Sequence, residues 1–303
     1  MAIGAVAFRM LLVPRLAATA QGWTPTLDGL AAGIGAWGAL ALAAVAAPRL
    51  WLQARALVDA GDPVWPMAAN VLGTTWGRGW MIQATGAGLA WAGYLLAQRG
   101  RRSGWALALV AAPAIALASA LMGHAAAASR LHALSVGGDA LHVLSAGAWI
   151  GTLFIIARVF AVRRGLTDAA ELVAALVEAF HRVAISSVAL LLTSGLVSLV
   201  LRVDRLRDLP GSPYGDALFV KLALVAVVAG FGAVHSRHAA RRARAGAARS
   251  VARTLAAELL FAALAVAMTA VLIGTEPPSR SQASGAPVEL PVGFTRAARL
   301  GSS

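Results

Sequence analysis

The sequence has 303 residues, 59% of them hydrophobic and 13% charged, against about 25% charged in an ordinary soluble domain. It contains no cysteine, which excludes disulfides, thiolate metal sites and a cysteine nucleophile. The net charge of +13 is carried by arginines in short loops between apolar blocks, a pattern of membrane orientation rather than of nucleic-acid binding.

In chain order, residues 2–20 come first, an apolar run broken by Arg9, Pro14 and Arg15. Two readings stand: a degraded first span, or an amphipathic helix lying on the membrane surface. "LAATA" at 16–20 has the look of a signal-peptidase site. No basic region precedes the run, however, so a cleaved leader is not expected. Seven apolar segments follow, at 28–48, 80–97, 105–122, 139–159, 183–201, 217–234 and 255–274. Each is close to the roughly 20 residues that cross the bilayer as a helix, and in hydrocarbon a helix is what lets such blocks satisfy their own backbone. The first is predicted to run on to Val58 with a kink at Pro48. The fold class predicted is therefore all-α, a polytopic transmembrane helix bundle with seven clear spans and an N-terminal candidate for an eighth. Residues 1–27 form the N-terminal segment, 28–278 the bundle, and 279–303 an extended or partly disordered tail.

The arginine-bearing loops at 98–104, 158–182 and 235–254 fall on one side if every segment crosses once. That side is then cytoplasmic, and the loops at 49–79, 123–138 and 202–216, with the tail, face outward. "GAGLAWAG" (86–93) suits close helix packing. Trp76 and Trp80 of "TTWGRGW" (74–80) read as anchors of an interfacial aromatic belt.

"DALHVLSAGAWIGTL" (139–153) poses the chemical question, because it sets an imidazole at the mouth of a membrane helix. At helical spacing His142, Ser145 and Trp149 share a face, and His142 is placed one turn inside the outer end. Such a residue either bonds a backbone carbonyl near the interface or faces a polar cavity. The preceding helix ends "LMGHAAAASRLHAL", with Met122, His124 and His132. If the two helices are antiparallel neighbours, His124 and His142 share the outer boundary, with His132 and the Met122 thioether as further candidate ligands. Met122 is equally read as packing and His132 as a solvated loop residue. Asp139 would orient an imidazole through its other nitrogen. Lys221, in "YGDALFVKLALV", either snorkels to the interface or pairs with Asp139 or Asp216. Glu258, in "RTLAAELLF", lies near the cytoplasmic end of the last helix and is a candidate for an ion path or a structural pair. His181 is a weak candidate for an exit ligand, and His235 and His238 stand among arginines. No Walker loop, Ser-His-Asp set, HExxH site or dinucleotide fingerprint is present, and no enzymatic activity is expected.

Six stretches in order resemble the copper resistance protein D (CopD) family of bacterial inner-membrane proteins. They are "TTWGRGW" (74–80), "MGHA" (122–125), "LHVLSAGAWIGTL" (141–153), "FHRVAISSVALLLTSGLVSLVLRV" (180–203), "SPYGDALFVKLALV" (212–225) and "ARTLAAELLFAALAVAMTAVLIGTEPP" (252–278). The resemblance covers about residues 36–278. It implies copper handling at the inner membrane, with uptake from the periplasm. It carries His124 and His142 over as metal residues, Trp149 and Gly151 as shaping the helix around them, and Lys221 and Glu258 as intramembrane charges. The partners expected are the lipid bilayer, a copper ion, and a periplasmic copper-binding protein or a larger membrane complex. Two further readings stay open. Histidines on neighbouring helices also suit a b-type haem, and small-residue helix faces suit a non-catalytic accessory subunit.

Overall fold

A computed structural model describes residues 1–16, 22–123, 131–162, 169–203, 206–244 and 248–275, with the helix course alone for 231–244 and 248–252. The described residues are helical, without strands. Ten α-helices run in chain order: α1 Ala2–Ala7, α2 Thr24–Ala44, α3 Ala46–Arg55, α4 Val64–Leu72, α5 Thr75–Gln98, α6 Arg102–Leu121, α7 His132–Val162, α8 Ala169–Arg202, α9 Pro213–Arg244 and α10 Ala248–Ile273.

Among the described residues six stretches are long and apolar enough to cross a membrane: Thr24–Arg55, Arg102–Leu121, His132–Val162, Glu171–Leu201, Pro213–Gly230 and Arg253–Ile273. The chain is therefore a multi-pass helical membrane protein, and the count of seven or eight spans is not met by these six. The expected span at 80–97 is helical within α5, about 36 Å long at 1.5 Å per residue. Its glycines, its tryptophans, Arg78 and Gln83 make it less apolar than the six.

The first span does run past Pro48, but its break lies elsewhere than expected. α2 ends at Ala44 and α3 begins at Ala46. Proline has no N–H to give the carbonyl four residues back, and its ring crowds that carbonyl. The disturbance therefore falls a turn before Pro48, while Val45 N still donates to Ala41 O at 3.2 Å and Arg49 N to Val45 O at 3.1 Å. α3 is held by the helix that "TTWGRGW" begins. Thr74 caps α5 by accepting from Gly77 N at 3.1 Å. Two and six residues on, Trp76 lies 5.8 Å from the Arg49 guanidinium and Trp80 Nε1 donates to Ala46 O at 2.8 Å. Both indoles are half-buried and dock α3, a local role that the aromatic-belt reading did not contain. Arg49 also donates to Gln83 Oε1 at 3.1 Å.

α5 and α6 meet along a glycine seam. A Cβ on Gly93 would stand 2.7 Å from Gly104 O, one on Gly86 3.1 Å from the Ile115 side chain, and one on Gly79 2.9 Å from Met122 Cγ. The three glycines recur every seven residues, so one face of α5 stays flat enough for backbones to touch. Gly88, off that face, meets nothing within 4 Å.

The N-terminal segment is inside the bundle, not on its surface. α1 continues through a π-helical turn at Phe8–Leu12 and a 3-10 turn at Val13–Arg15. Ala5, Phe8 and Leu12 are fully buried, within one core that also draws on α2, α5, α6, α7 and α8. Its contact with α7 is made by two glycines: a Cβ on Gly4 would stand 2.3 Å from Gly151 Cα. Arg9 Nε reaches Asp28 of α2 at 2.8 and 2.9 Å. The Tyr94 hydroxyl of α5 donates to Ala2 O, and its ring packs edge-on to Trp105 at 5.8 Å. Tyr94→Phe removes a buried hydrogen bond between helices. It is expected to cost about 1 kcal/mol, read as a lowered thermal midpoint of the detergent-solubilised protein. An unchanged midpoint would mean that this hydroxyl does not hold the segment.

Candidate metal-facing site between two long helices

The site forms where α7 and α8 pack along their length, running in opposite directions. α7 begins at His132 rather than Asp139, because Ser135 and Val136 bury themselves and Val136 packs with Ala120 of α6, so the helix gains by extending outward. His142 accordingly lies about three turns inside the helix, not one. It is half-buried, with Ser145 and Trp149 buried one and two turns further in on the shared face.

His142 Nδ1 lies 3.0 Å from Ser194 Oγ of α8, and Ser194 in turn donates to Leu190 O at 2.6 Å. One turn outward, Ser198 Oγ donates to Asp139 Oδ1 at 2.8 Å. The spacing is i, i+3 on α7 and i, i+4 on α8, so all four side chains meet in one seam. Gly195 lies beside the ring: a Cβ there would stand 3.6 Å from His142 Cε1, an ordinary packing distance. The serine hydroxyl fixes one ring nitrogen, which is how second-shell partners orient an imidazole whose other nitrogen takes a ligand.

The other sequence-predicted residues are placed as follows. His124 lies outside the described residues, as do the side chains of His235 and His238. His132 is exposed at the first position of α7, about 15 Å along the axis from His142. With metal–nitrogen bonds of about 2 Å, these two do not share one ion. Met122 is buried, with its side chain against Gly79 of α5, which is a packing position. Gly151 serves the approach of Gly4, and Trp149 belongs to the central core. Lys221 is half-buried in the third turn of α9. His181 is exposed on α8. Glu258 is buried on α10 and its Oε1 has no hydrogen-bond partner.

Among the described residues no group of three or more His, Cys, Asp or Glu side chains could hold a metal ion. The donors that do converge are one imidazole, hydroxyl oxygens and one carboxylate. Imidazole with oxygen suits Cu(II) or Zn better than thioether-loving Cu(I). Sequence reasoning found His142 and Asp139 but missed Ser194 and Ser198. Both sit in an ordinary-looking apolar run, and their only signal is the four-residue spacing.

No curated protein and no solved structure gives a match to the chain. Residues 174–272 match the family model of Copper resistance protein D, a stretch from the second turn of α8 through α9 to the end of α10. Ser194 and Ser198 lie within it, whereas His142 and the landmarks at 74–80, 122–125 and 141–153 lie before it. Over that stretch this multi-pass helical membrane chain is similar to the CopD family of copper resistance proteins.

Proposed function

We propose that the protein passes or holds copper at the bacterial inner membrane and has no enzymatic activity. His142 captures the ion on the periplasmic side. The observation that carries this reading is the His142–Ser194 contact, which joins the half-buried imidazole to the family-matched segment. Ser194 holds the ring, Gly195 lies beside it, and Asp139, bonded to Ser198, adds a carboxyl oxygen one turn outward. His124 is the candidate second imidazole. The basic stretches at 98–104, 158–182 and 235–254 support a cytoplasmic side opposite the site, with the C-terminal tail in the periplasm. A periplasmic copper-binding protein would then be the donor.

The test is elemental analysis for copper and iron of purified wild type, His142→Ala, Ser194→Ala and the His124→Ala/His142→Ala pair, beside copper uptake by cells. His142→Ala is expected to abolish bound copper and uptake. Ser194→Ala is expected to weaken affinity about 10- to 100-fold, as loss of an orienting partner does. Normal uptake by His142→Ala overturns the reading, and iron in place of copper redirects it to haem.

A further inference from the structure

One buried acid takes no part in the site above. The buried positions of α10 recur as Leu255, Glu258, Ala262 and Ala265, a single face at helical spacing. Three of these are apolar and the fourth is a carboxylic acid. Glu258 is 4% exposed, and its Oε1 is buried without a hydrogen-bond partner. It stands five residues past Arg253, where the membrane-crossing stretch begins, or about 7–8 Å into the helix at 1.5 Å per residue.

The elements packed against α10 are chiefly α9 and α7. α7 brings Arg158, which is exposed, and Thr152, whose Oγ1 is likewise buried and without a partner. α9 brings Lys221, near its opposite end; His235, His238 and the arginines after them stand on the half of α9 whose side chains lie outside the described set. α10 itself contributes exposed Arg253.

A carboxyl on this otherwise apolar face has given up most of its contact with water, and among the described residues no hydrogen-bond partner meets its Oε1. Intramembrane acids held this way are found where protons or ions move. A carboxyl is a hard oxygen donor and offers nothing that a soft ion would prefer. The position is also near water, because the arginine-rich stretch at 235–254 begins α10.

We propose that Glu258 is a proton-binding site in the membrane interior. Its carboxyl holds one proton within the bundle and exchanges it with the aqueous phase on the arginine-rich side. The site stands independently of copper at His142, on other helices and at the other end of α7. No bond other than O–H is made or broken.

The experiment is infrared spectroscopy of the full-length protein in detergent, without copper. Solvated carboxyls are ionised at neutral pH, so a protonated C=O stretch there reports a buried acid. The expected result is one such band in wild type at pH 7. It should shift in deuterium oxide and with glutamate-specific carbon-13 labelling, and fade reversibly as pH is raised. Glu258→Gln should lack it, and Glu258→Asp, which keeps the acid if the amide does not fold, should shift it out of the glutamate-labelled set. A wild type with no protonated glutamate band at pH 7, or an unchanged band in Glu258→Gln, overturns the proposal. Because copper is absent throughout, failure of copper binding in the His142 series leaves this result standing, and the reverse also holds.

Discussion

Gly151→Val is expected to leave the protein largely unable to assemble as a monodisperse species in detergent. A Cβ at Gly151 would stand 2.5 Å from Gly4 Cα, and one at Gly4 would stand 2.7 Å from the Gly151 carbonyl carbon. These neighbours are backbone atoms of two helices, so neither side has a flexible side chain to move aside. Overpacking ordinarily costs about 1–3 kcal/mol, and more where nothing can yield; about 3 kcal/mol or more is expected here. Gly88→Val is the matched control, because that glycine faces open space. Gel filtration and a thermal midpoint on the pair decide the matter. Equal behaviour of the two variants would show that the N-terminal segment does not dock on α7.

Arg9→Ala is the second large effect. The Arg9–Asp28 pair is only about a quarter exposed, at 29% and 23% for the two side chains. Removing the arginine strands a carboxylate among apolar helices, and breaking a largely buried pair costs several kcal/mol when it is fully desolvated. With the remaining exposure, about 2 kcal/mol is expected. The double variant Arg9→Ala/Asp28→Ala should recover part of the loss, since it removes the stranded charge along with its partner. A double variant less stable than Arg9→Ala would mean that Asp28 is satisfied by something other than Arg9. The single-variant loss should also change little with added salt, as low-dielectric surroundings screen poorly.

Much of the architecture was legible because lipid imposes a simple rule: long apolar blocks must be helices. The shared face of His142, Ser145 and Trp149 followed from spacing alone, and the small residues at 86–93 pointed to close packing of α5 without giving the seven-residue seam. What escaped was whatever depends on a partner far away in sequence. Arg9 reads as an interruption until Asp28 stands beside it. Gly4 and Gly151 are unremarkable singly, and only their meeting explains why a short, broken apolar run goes to the centre of the bundle. The start of α7 escaped because burial of Ser135 and Val136 against α6 outweighs the polar look of the segment. Ser194 and Ser198 escaped because a serine in an apolar helix commonly bonds its own backbone, as Ser194 does with Leu190 O. α5 shows the opposite limit, since its length suits a crossing while its composition serves docking of α3 and α6.

The place of the N-terminal segment bears on biogenesis. Residues near Gly4 leave the ribosome early, yet the groove that receives them includes Gly147 and Gly151, on a helix translated much later. At bacterial-to-eukaryotic synthesis rates of roughly 5–20 residues per second, the wait is on the order of ten seconds. During that interval the apolar face of Ala5, Phe8 and Leu12 has no finished core to enter. Docking of this early segment thus follows, rather than precedes, synthesis of the helix that receives it. Completion of the bundle is then a late closing event that a nascent chain stalled before α7 would never reach.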